Sequence, residues 1–189
     1  MPIPVCARRY ASVRDDIRDG DVLLWLPTSI AGKAICWGTR QPYSHASMAG
    51  RSSDGRLRNV EMVQWAGGRR TPLSEQVIRY PGTCQVWRPI DPRYDGHAAL
   101  VQMLWLIGQP YGWSDFALVA LHRICPRMLR AALPNSSSPD RPRVCSPSVA
   151  WAIRTSNGIA AVPSVPDDEI SPGDLADSGF AAYRYSLYP

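Results

Sequence analysis

The feature that most constrains the fold is a series of short apolar segments separated by turn residues. Each has the length of a β-strand, and most of them lie before residue 90. Helical patterns follow, and one more strand-like segment lies near the C-terminus. This order of strands, helices and a last strand predicts an α+β fold in a single domain spanning 1–189. The predicted strands cover residues 22–26, 43–50, 57–65, 83–88 and 181–188.

Capping residues and terminal glycines predict three helices between and after these strands. The predicted limits are Ser29 to Gly38, Asp91 or Asp95 to Gly108, and Ser146, with Pro147 in the first turn, to Gly158. The apolar segment 116–133 is also read as helical, interrupted by Pro126, and residues 134–143 read as a loop.

Composition and charge exclude several classes of protein. An apolar share of 45% and a charged share of 20% argue against a disordered tail, a fibre or a coiled coil. The net charge of +5 comes from scattered arginines, so nucleic-acid binding is not expected. The N-terminus lacks the pattern of a secretory signal, and no apolar run has the length of a membrane span. We therefore expect a protein that is cytoplasmic as synthesised, with later delivery to an envelope or another cell left open.

The cysteine pattern favours a reactive thiol over a disulfide or zinc framework. The number is odd and no two cysteines have metal-binding spacing, so no metal and no cofactor are expected. An isolated cysteine is also what a thiol enzyme needs. The five are Cys6, Cys36, Cys84, Cys125 and Cys145.

Cys145 is the best candidate nucleophile because it lies at a predicted helix start. Unpaired N–H groups and the positive end of the helix dipole stabilise a thiolate there, and the same groups can bind an oxyanion. The alternative is a small buried residue at a helix end.

A thiolate nucleophile needs an imidazole as its acid and base, and His45 is the best of three histidines. It lies within a predicted strand beside small residues, whereas His97 and His122 are expected on the surface. Glu61, on the next apolar strand, can orient the imidazole if it lies on the same face of the sheet. Strand alternation alone leaves that face open, and His45 can also be read as an ordinary core residue.

An ordered set of motifs extends along most of the chain. The motifs are Ile17 to Leu23, Tyr43-Ser44-His45, Glu61, Cys145-Ser146 and Pro172 to Leu175. With these motifs the chain resembles the circularly permuted branch of the NlpC-type papain-like hydrolases, the YiiX/YaeF-like group, and more distantly lecithin–retinol acyltransferase-like proteins. One departure is Pro147, where the family usually has glutamate or a hydrophobic residue.

The resemblance implies a permuted papain-like fold, with a small antiparallel sheet packed against helices. The cysteine would begin a helix and face the histidine on the sheet. Tyr111 matches a Pro-Tyr-x-Trp element of these hydrolases, so its phenol is expected near the reaction centre, where it can donate to an oxyanion. A turn aromatic that covers the core is the alternative reading of Tyr111.

Three functions follow as hypotheses. The first is a thiol hydrolase of a peptide amide, including cell-wall peptides, with Cys145, His45 and Glu61 as its catalytic residues. The second is acyl transfer or ester cleavage on a lipid, with residues 116–133 in peripheral contact with an anionic membrane. A core helix is the alternative reading of 116–133. The third is a non-catalytic, arginine-rich binding protein, against which the complete Cys/His/Glu set argues.

Overall fold

The computed structural model describes residues 6–114 and 144–189, which form a sheet with helices on both faces. Within these ranges the sheet has seven strands, in the order β1-β7-β6-β2-β3-β4-β5. All neighbours are antiparallel except β1 and β7, which are parallel. The strands are β1 (Ala7–Arg9), β2 (Val22–Leu26), β3 (His45–Arg51), β4 (Leu57–Val63), β5 (Gly67–Pro72), β6 (Thr83–Pro89) and β7 (Ala181–Tyr188).

The described helices lie before, between and after these strands. The predicted α+β class, with a sheet packed against helices, is confirmed, although the sheet is larger than predicted and has one parallel pair at its edge. The helices are α1 (Tyr10–Val13), α2 (Ile30–Thr39), α3 (Leu73–Arg79), α4 (Gly96–Leu104), α5 (Cys145–Asn157) and α6 (Pro172–Asp177), with a 3₁₀ turn at Asp167–Glu169.

Alternating side chains of the central strands supply two cores. Val22 and Leu24 face α4 and α5, whereas Leu23 and Trp25 face α3. The alternation is the period of two expected for a strand, and both faces are apolar because both are covered. The odd-numbered positions of β2, β3 and β4 therefore point to the α3 side of the sheet.

Two of the three predicted helix starts are confirmed. The Ser29 side chain accepts a hydrogen bond from the Gly32 N–H, as a capping residue should, and Asp95 caps α4 in the same way. The prediction that Ser146 caps α5 is wrong. The cap position is Val144, and the Ser146 hydroxyl instead donates to the Ile170 carbonyl at 2.7 Å.

The Gly-Asp motif near the N-terminus has a structural role. The Asp21 carboxylate is buried, accepts from the Arg18 N–H and forms an ion pair with Arg88 on β6 at 2.8 Å. This pair closes the turn that precedes β2 and joins it to the neighbouring strand. Removing either partner would leave the other charge largely buried and unpaired, which is strongly destabilising, so the pair is needed where the sheet begins.

Some sequence predictions fall outside the described part of the chain. They are the helix 116–133 with His122 and Cys125, and the loop 134–143. Within residues 6–114 and 144–189, no helix combines the length and the apolar character needed to cross a bilayer.

Candidate active site

Cys145 is the first residue of α5, and its sulfur meets donors from two elements. The Val144 backbone before it is extended, so the helix axis begins at the cysteine. The N–H groups of Ala46, on β3, and of Ser146 both donate to the sulfur. The side chain is 8% exposed, at the wall of a cavity. The sequence placed this cysteine at a helix start, and the structure has it there.

His45 begins β3 and lies between Cys145 and Glu61. Its Nε2 atom is 2.8 Å from Oε2 of Glu61, and its side chain also hydrogen-bonds to the Cys145 thiol. Because Nε2 is engaged by the carboxylate, Nδ1 is the atom left for the sulfur. His45 and Glu61 are both at odd positions of their strands, so they share the α3 face of the sheet.

Glu61 is a buried carboxylate with donors on both oxygens. It is 1% exposed, and its Oε1 atom accepts from Arg69 Nε at 2.9 Å. The Gln76 side chain, from α3, donates to Oε1 at 3.1 Å and to Oε2 at 3.3 Å. A buried carboxylate is costly when it lacks partners, and here three side chains satisfy it.

The hydrogen-bond pattern favours a thiolate–imidazolium pair. Burial alone raises the pKa of the Cys145 thiol, but the hydrogen bond and charge of His45, with the N–H groups of Ala46 and Ser146, lower it below its usual value. Burial works against a charged His45, whereas Cys145 and Glu61 raise its pKa to about 10. Both shifts favour the state in which the imidazole carries the proton and the sulfur carries the negative charge.

The same contacts keep Glu61 ionised. Burial raises the pKa of this carboxyl, but the hydrogen bond and charge of His45, the charge of Arg69 and the amide of Gln76 lower it to about 2. A permanent negative charge behind the imidazole stabilises the imidazolium and fixes its ring orientation.

Gln76 is itself fixed by two donors behind it. Its Oε1 atom accepts from Asn59 Nδ2 at 2.9 Å and from the Thr71 hydroxyl at 2.5 Å. These bonds orient the amide so that its Nε2 atom points at Glu61. Neither Gln76 nor Arg69 was among the predicted site residues, because no periodicity marked β5 or α3.

Tyr111 reaches the site through a close contact between β5 and the turn after α4. Gly68 N–H donates to Gln109 O at 2.9 Å, and Gly108 N–H donates to Gly68 O at 2.8 Å. A side chain at Gly68 would overlap the backbone of this turn, so only glycine fits there. The turn then directs Tyr111 against Val144 and Cys145.

Tyr111 lines the same cavity as Cys145. Burial raises its pKa, and a nearby thiolate does so as well, so the phenol stays protonated. The Gln64 side chain hydrogen-bonds to the phenol. A protonated phenol beside the sulfur is suited to donate to a developing oxyanion.

The cavity at the site has a volume of about 280 Å³ and opens to solvent. Its walls come from β2, β3, β4, β5, α2, α3, the start of α5 and the segment that holds Tyr111. The described lining residues are Trp25, Ser29, Gly32, Ser44, His45, Glu61, Met62, Val63, Gln64, Arg69, Gln76, Tyr80, Tyr111 and Cys145.

Aromatic side chains continue from Tyr111 to the surface. The Tyr111 and Trp113 ring centroids are 5.2 Å apart, and those of Trp113 and Trp65 are 4.7 Å apart. Trp65 is 88% exposed and has a positive φ of 69°, which is uncommon for a bulky residue. An exposed aromatic rim therefore lies beside the cavity.

The other described cysteines and His97 lie outside this arrangement. Cys84 is buried, and burial raises the pKa of its thiol, whereas Cys6 is exposed. Burial also raises the pKa of Cys36. The His97 side chain is 74% exposed and lies 3.1 Å from Asp19, on the surface as predicted.

Comparison with solved structures supports the fold. The chain superposes on the crystal structure of the metalloprotein yiiX from Escherichia coli O157:H7 with a TM-score of 0.63 and 16% sequence identity. The match covers 92% of this chain and 99% of that one, so the two share a fold over nearly their whole length. This agrees with the YiiX-like fold that the motifs suggested. No protein-family model matches the chain, and no curated protein matches its sequence.

The site does not have the geometry of a metal centre. Cys145, His45 and Glu61 lie in a row, with the imidazole hydrogen-bonded on both sides, so they do not converge on one point. Across residues 6–114 and 144–189, no group of three or more His, Cys, Asp or Glu side chains is arranged to hold a metal ion. The described residues of this site therefore do not fit the metal that the name of the yiiX structure mentions.

Proposed function

We propose that the protein is a cysteine hydrolase that cleaves an amide bond through a thioester on Cys145. The observation that carries the proposal is the row Cys145, His45 and Glu61 beside an open cavity, with a 2.8 Å bond between His45 Nε2 and Glu61 Oε2. Nucleophile, acid–base group and orienting carboxylate are the three parts that thiol hydrolysis needs.

In the acylation half, the Cys145 thiolate attacks the substrate carbonyl carbon and forms the C–S bond. The carbonyl π electrons move to the oxygen, which becomes an oxyanion. When that oxyanion collapses, the C–N bond breaks and the leaving nitrogen takes the proton from His45 Nδ1. An amine departs and a thioester with neutral His45 remains.

In the deacylation half, His45 Nδ1 removes a proton from a water molecule that attacks the thioester. The C–S bond then breaks, the acid leaves, and the thiolate–imidazolium pair is restored. Glu61 stays ionised in both halves, since its pKa of about 2 lies far below that of the imidazole. It stabilises each imidazolium and holds the ring in place.

Two donors are suited to the oxyanion. Pro147 has no N–H, and the N–H groups of Ser146 and Ser148 are engaged by the Cys145 sulfur and by the Val144 carbonyl. The Cys145 backbone N–H, at the first position of α5, and the Tyr111 hydroxyl, in the cavity wall that also holds Cys145, are suited to stabilise the developing charge. Removing one such donor typically costs about 10²–10³ in kcat.

The test is turnover of acyl aminocoumarin amides by the purified protein and by Cys145→Ala and Cys145→Ser variants. Hydrolysis by the wild type alone, with a thioester adduct on Cys145 trapped by acid quench and mass spectrometry, is the expected result. A wild-type protein that forms no adduct with any amide or thioester probe would contradict the proposal.

A lipid-acyl substrate is a second candidate, favoured by the exposed Trp65 and Trp113 beside the cavity. Exposed tryptophans are enriched where a protein meets a membrane interface. The same thioester would form from an ester, with an alcohol as leaving group. A Trp65→Ser variant separates the candidates, because it should impair hydrolysis of esters in vesicles while leaving short soluble amides unaffected.

A further inference from the structure

Arg69 is a cation in the cavity wall, and its ion pair with Glu61 engages only part of its guanidinium group. Its Nε and Nη2 atoms both contact one oxygen of Glu61, at 2.9 Å each. Among the described residues, its Nη1 atom has no hydrogen-bond partner. The side chain is 41% exposed and lines the same cavity as Cys145.

Glu61 does not depend on Arg69 alone for its charge. The carboxylate also accepts from His45 and twice from Gln76, so both of its oxygens keep a donor without the guanidinium. The ion pair also fixes Arg69, because the buried carboxylate holds its Nε and Nη2 atoms and the residue lines the cavity.

The carboxylate and the guanidinium in the cavity wall differ in how much of each side chain is exposed to solvent. Glu61 is 1% exposed and lies behind the imidazole, whereas the Arg69 side chain is 41% exposed. Among the described lining residues, Arg69 is the one Lys or Arg, and Glu61 is the one Asp or Glu. The guanidinium is therefore accessible to a ligand in the cavity, whereas the carboxylate is almost fully buried.

We propose that Arg69 binds an anionic group of the substrate, a carboxylate or a phosphate, next to the bond that Cys145 attacks. The planar guanidinium fork matches two oxygens of such a group, and its position is already set by Glu61. The inference rests on the proposed function and narrows its substrate to acyl compounds with a negative charge near the reacting carbonyl.

A pair of alkylating reagents tests this subsite without turnover. Iodoacetate and iodoacetamide are nearly equal in size and differ by one negative charge. We expect the ratio of their rates at Cys145 to fall at least fivefold in Arg69→Gln and to fall less in Arg69→Lys. Arg70→Gln is the matched control, since Arg70 is the adjacent, exposed residue on the other face of β5. It removes the same charge and should leave the ratio unchanged.

Peptide amides then distinguish the two anions. Coumarin peptides with glutamate, phosphoserine or glutamine on either side of the scissile bond are compared in the wild type and in Arg69→Gln. We expect the wild type to prefer one acidic residue over glutamine, chiefly in KM, and the variant to lose that preference.

The outcomes separate the subsite from the hydrolase. If Cys145 reacts with both reagents but their ratio is equal in the wild type and Arg69→Gln, the anion subsite is refuted and the hydrolase stands. An equal loss of rate on acidic and neutral peptides in Arg69→Gln would likewise mean that Arg69 only positions Glu61. A Cys145 that reacts with neither reagent overturns the proposed function, and this subsite with it.

Discussion

The side-chain amide of Gln76, on α3, donates to both carboxylate oxygens of Glu61, on β4. A helix on one face of the sheet thus fixes a carboxylate that orients His45. The amide cannot turn freely, since Asn59 and Thr71 both donate to its oxygen. The position of the imidazole therefore depends on a network that does not touch the sulfur.

Gln76→Ala should lower both the free energy of unfolding and the catalytic rate. Asn59 and Thr71 lose their shared acceptor, so the free energy of unfolding should fall by about 1–3 kcal/mol. A small displacement of Glu61 should lower kcat by about tenfold to a hundredfold, with KM little changed. Urea denaturation and steady-state kinetics measure the two effects. Gln41→Ala is the control, because Gln41 bonds to Asp177 at an exposed site, and an equal loss there would contradict the prediction.

Cys145 should be the most reactive of the five thiols at mildly acidic pH. Its pKa is lowered by His45 and two N–H groups, whereas burial raises the pKa of Cys84 and Cys36. Iodoacetamide at about pH 6, followed by peptide mapping, should modify Cys145 first. Preferential labelling of another cysteine would place the reactive centre elsewhere.

His45→Ala and Glu61→Gln should differ in severity. The first removes the proton carrier, so kcat/KM should fall by about 10²–10⁴. The second keeps the shape of the side chain and one acceptor oxygen, so measurable activity should remain. Small and equal losses in both variants would show that the two residues are structural.

Acid should weaken the fold through Glu61. The folded pKa of about 2 lies below the ordinary 4.5, so the ionised carboxylate contributes stability that is complete above about pH 4.5. That contribution is lost as pH falls from 4.5 through 2. The difference in unfolding free energy between wild type and Glu61→Gln should shrink over this range, as measured by denaturant titrations at several pH values. A constant difference would refute the assignment.

Liposome binding separates amide from lipid chemistry. If residues 116–133 contact a membrane, each basic residue near an anionic surface contributes about 1 kcal/mol, and replacing Arg123, Arg127 and Arg130 with glutamine should abolish co-sedimentation. We expect the wild type not to sediment with anionic vesicles, because Pro126 interrupts the apolar pattern. Sedimentation that disappears in the triple variant would put lipid acyl chemistry first.

The limits of an element could be predicted where its own sequence contains the turn, the proline or the alternating pattern that defines it. β2 and β7 have the predicted limits, because a turn or a proline bounds the first and an alternating apolar pattern forms the second. The cap of α5 was placed two residues late, at Ser146 and not at Val144, since Ser146 looks like a capping residue but its hydroxyl bonds to a distant carbonyl. Local capping rules do not contain that long-range contact.

The outer part of the site could not be predicted, because its strand is defined by pairing alone. The β5 sequence, Gly-Gly-Arg-Arg-Thr-Pro, has no apolar alternation and looks like a loop, yet it pairs with β4 along its length. Arg69 is therefore recognised as part of the site only from the strand pairing that places it opposite Glu61. The shared face of His45 and Glu61 was left open by alternation for the same reason, since register is set between strands.

The contact between Gly68 and the turn at Gly108 and Gln109 also bears on how copies of this chain meet one another. β5 is an outer strand of the sheet, and such strands offer unpaired N–H and C=O groups to which another chain can add. Here the turn already occupies the backbone groups of Gly68. The rest of the strand is short, carries two arginines and ends in a proline. This border of the sheet is thus protected against strand addition, and against the aggregation that begins with it.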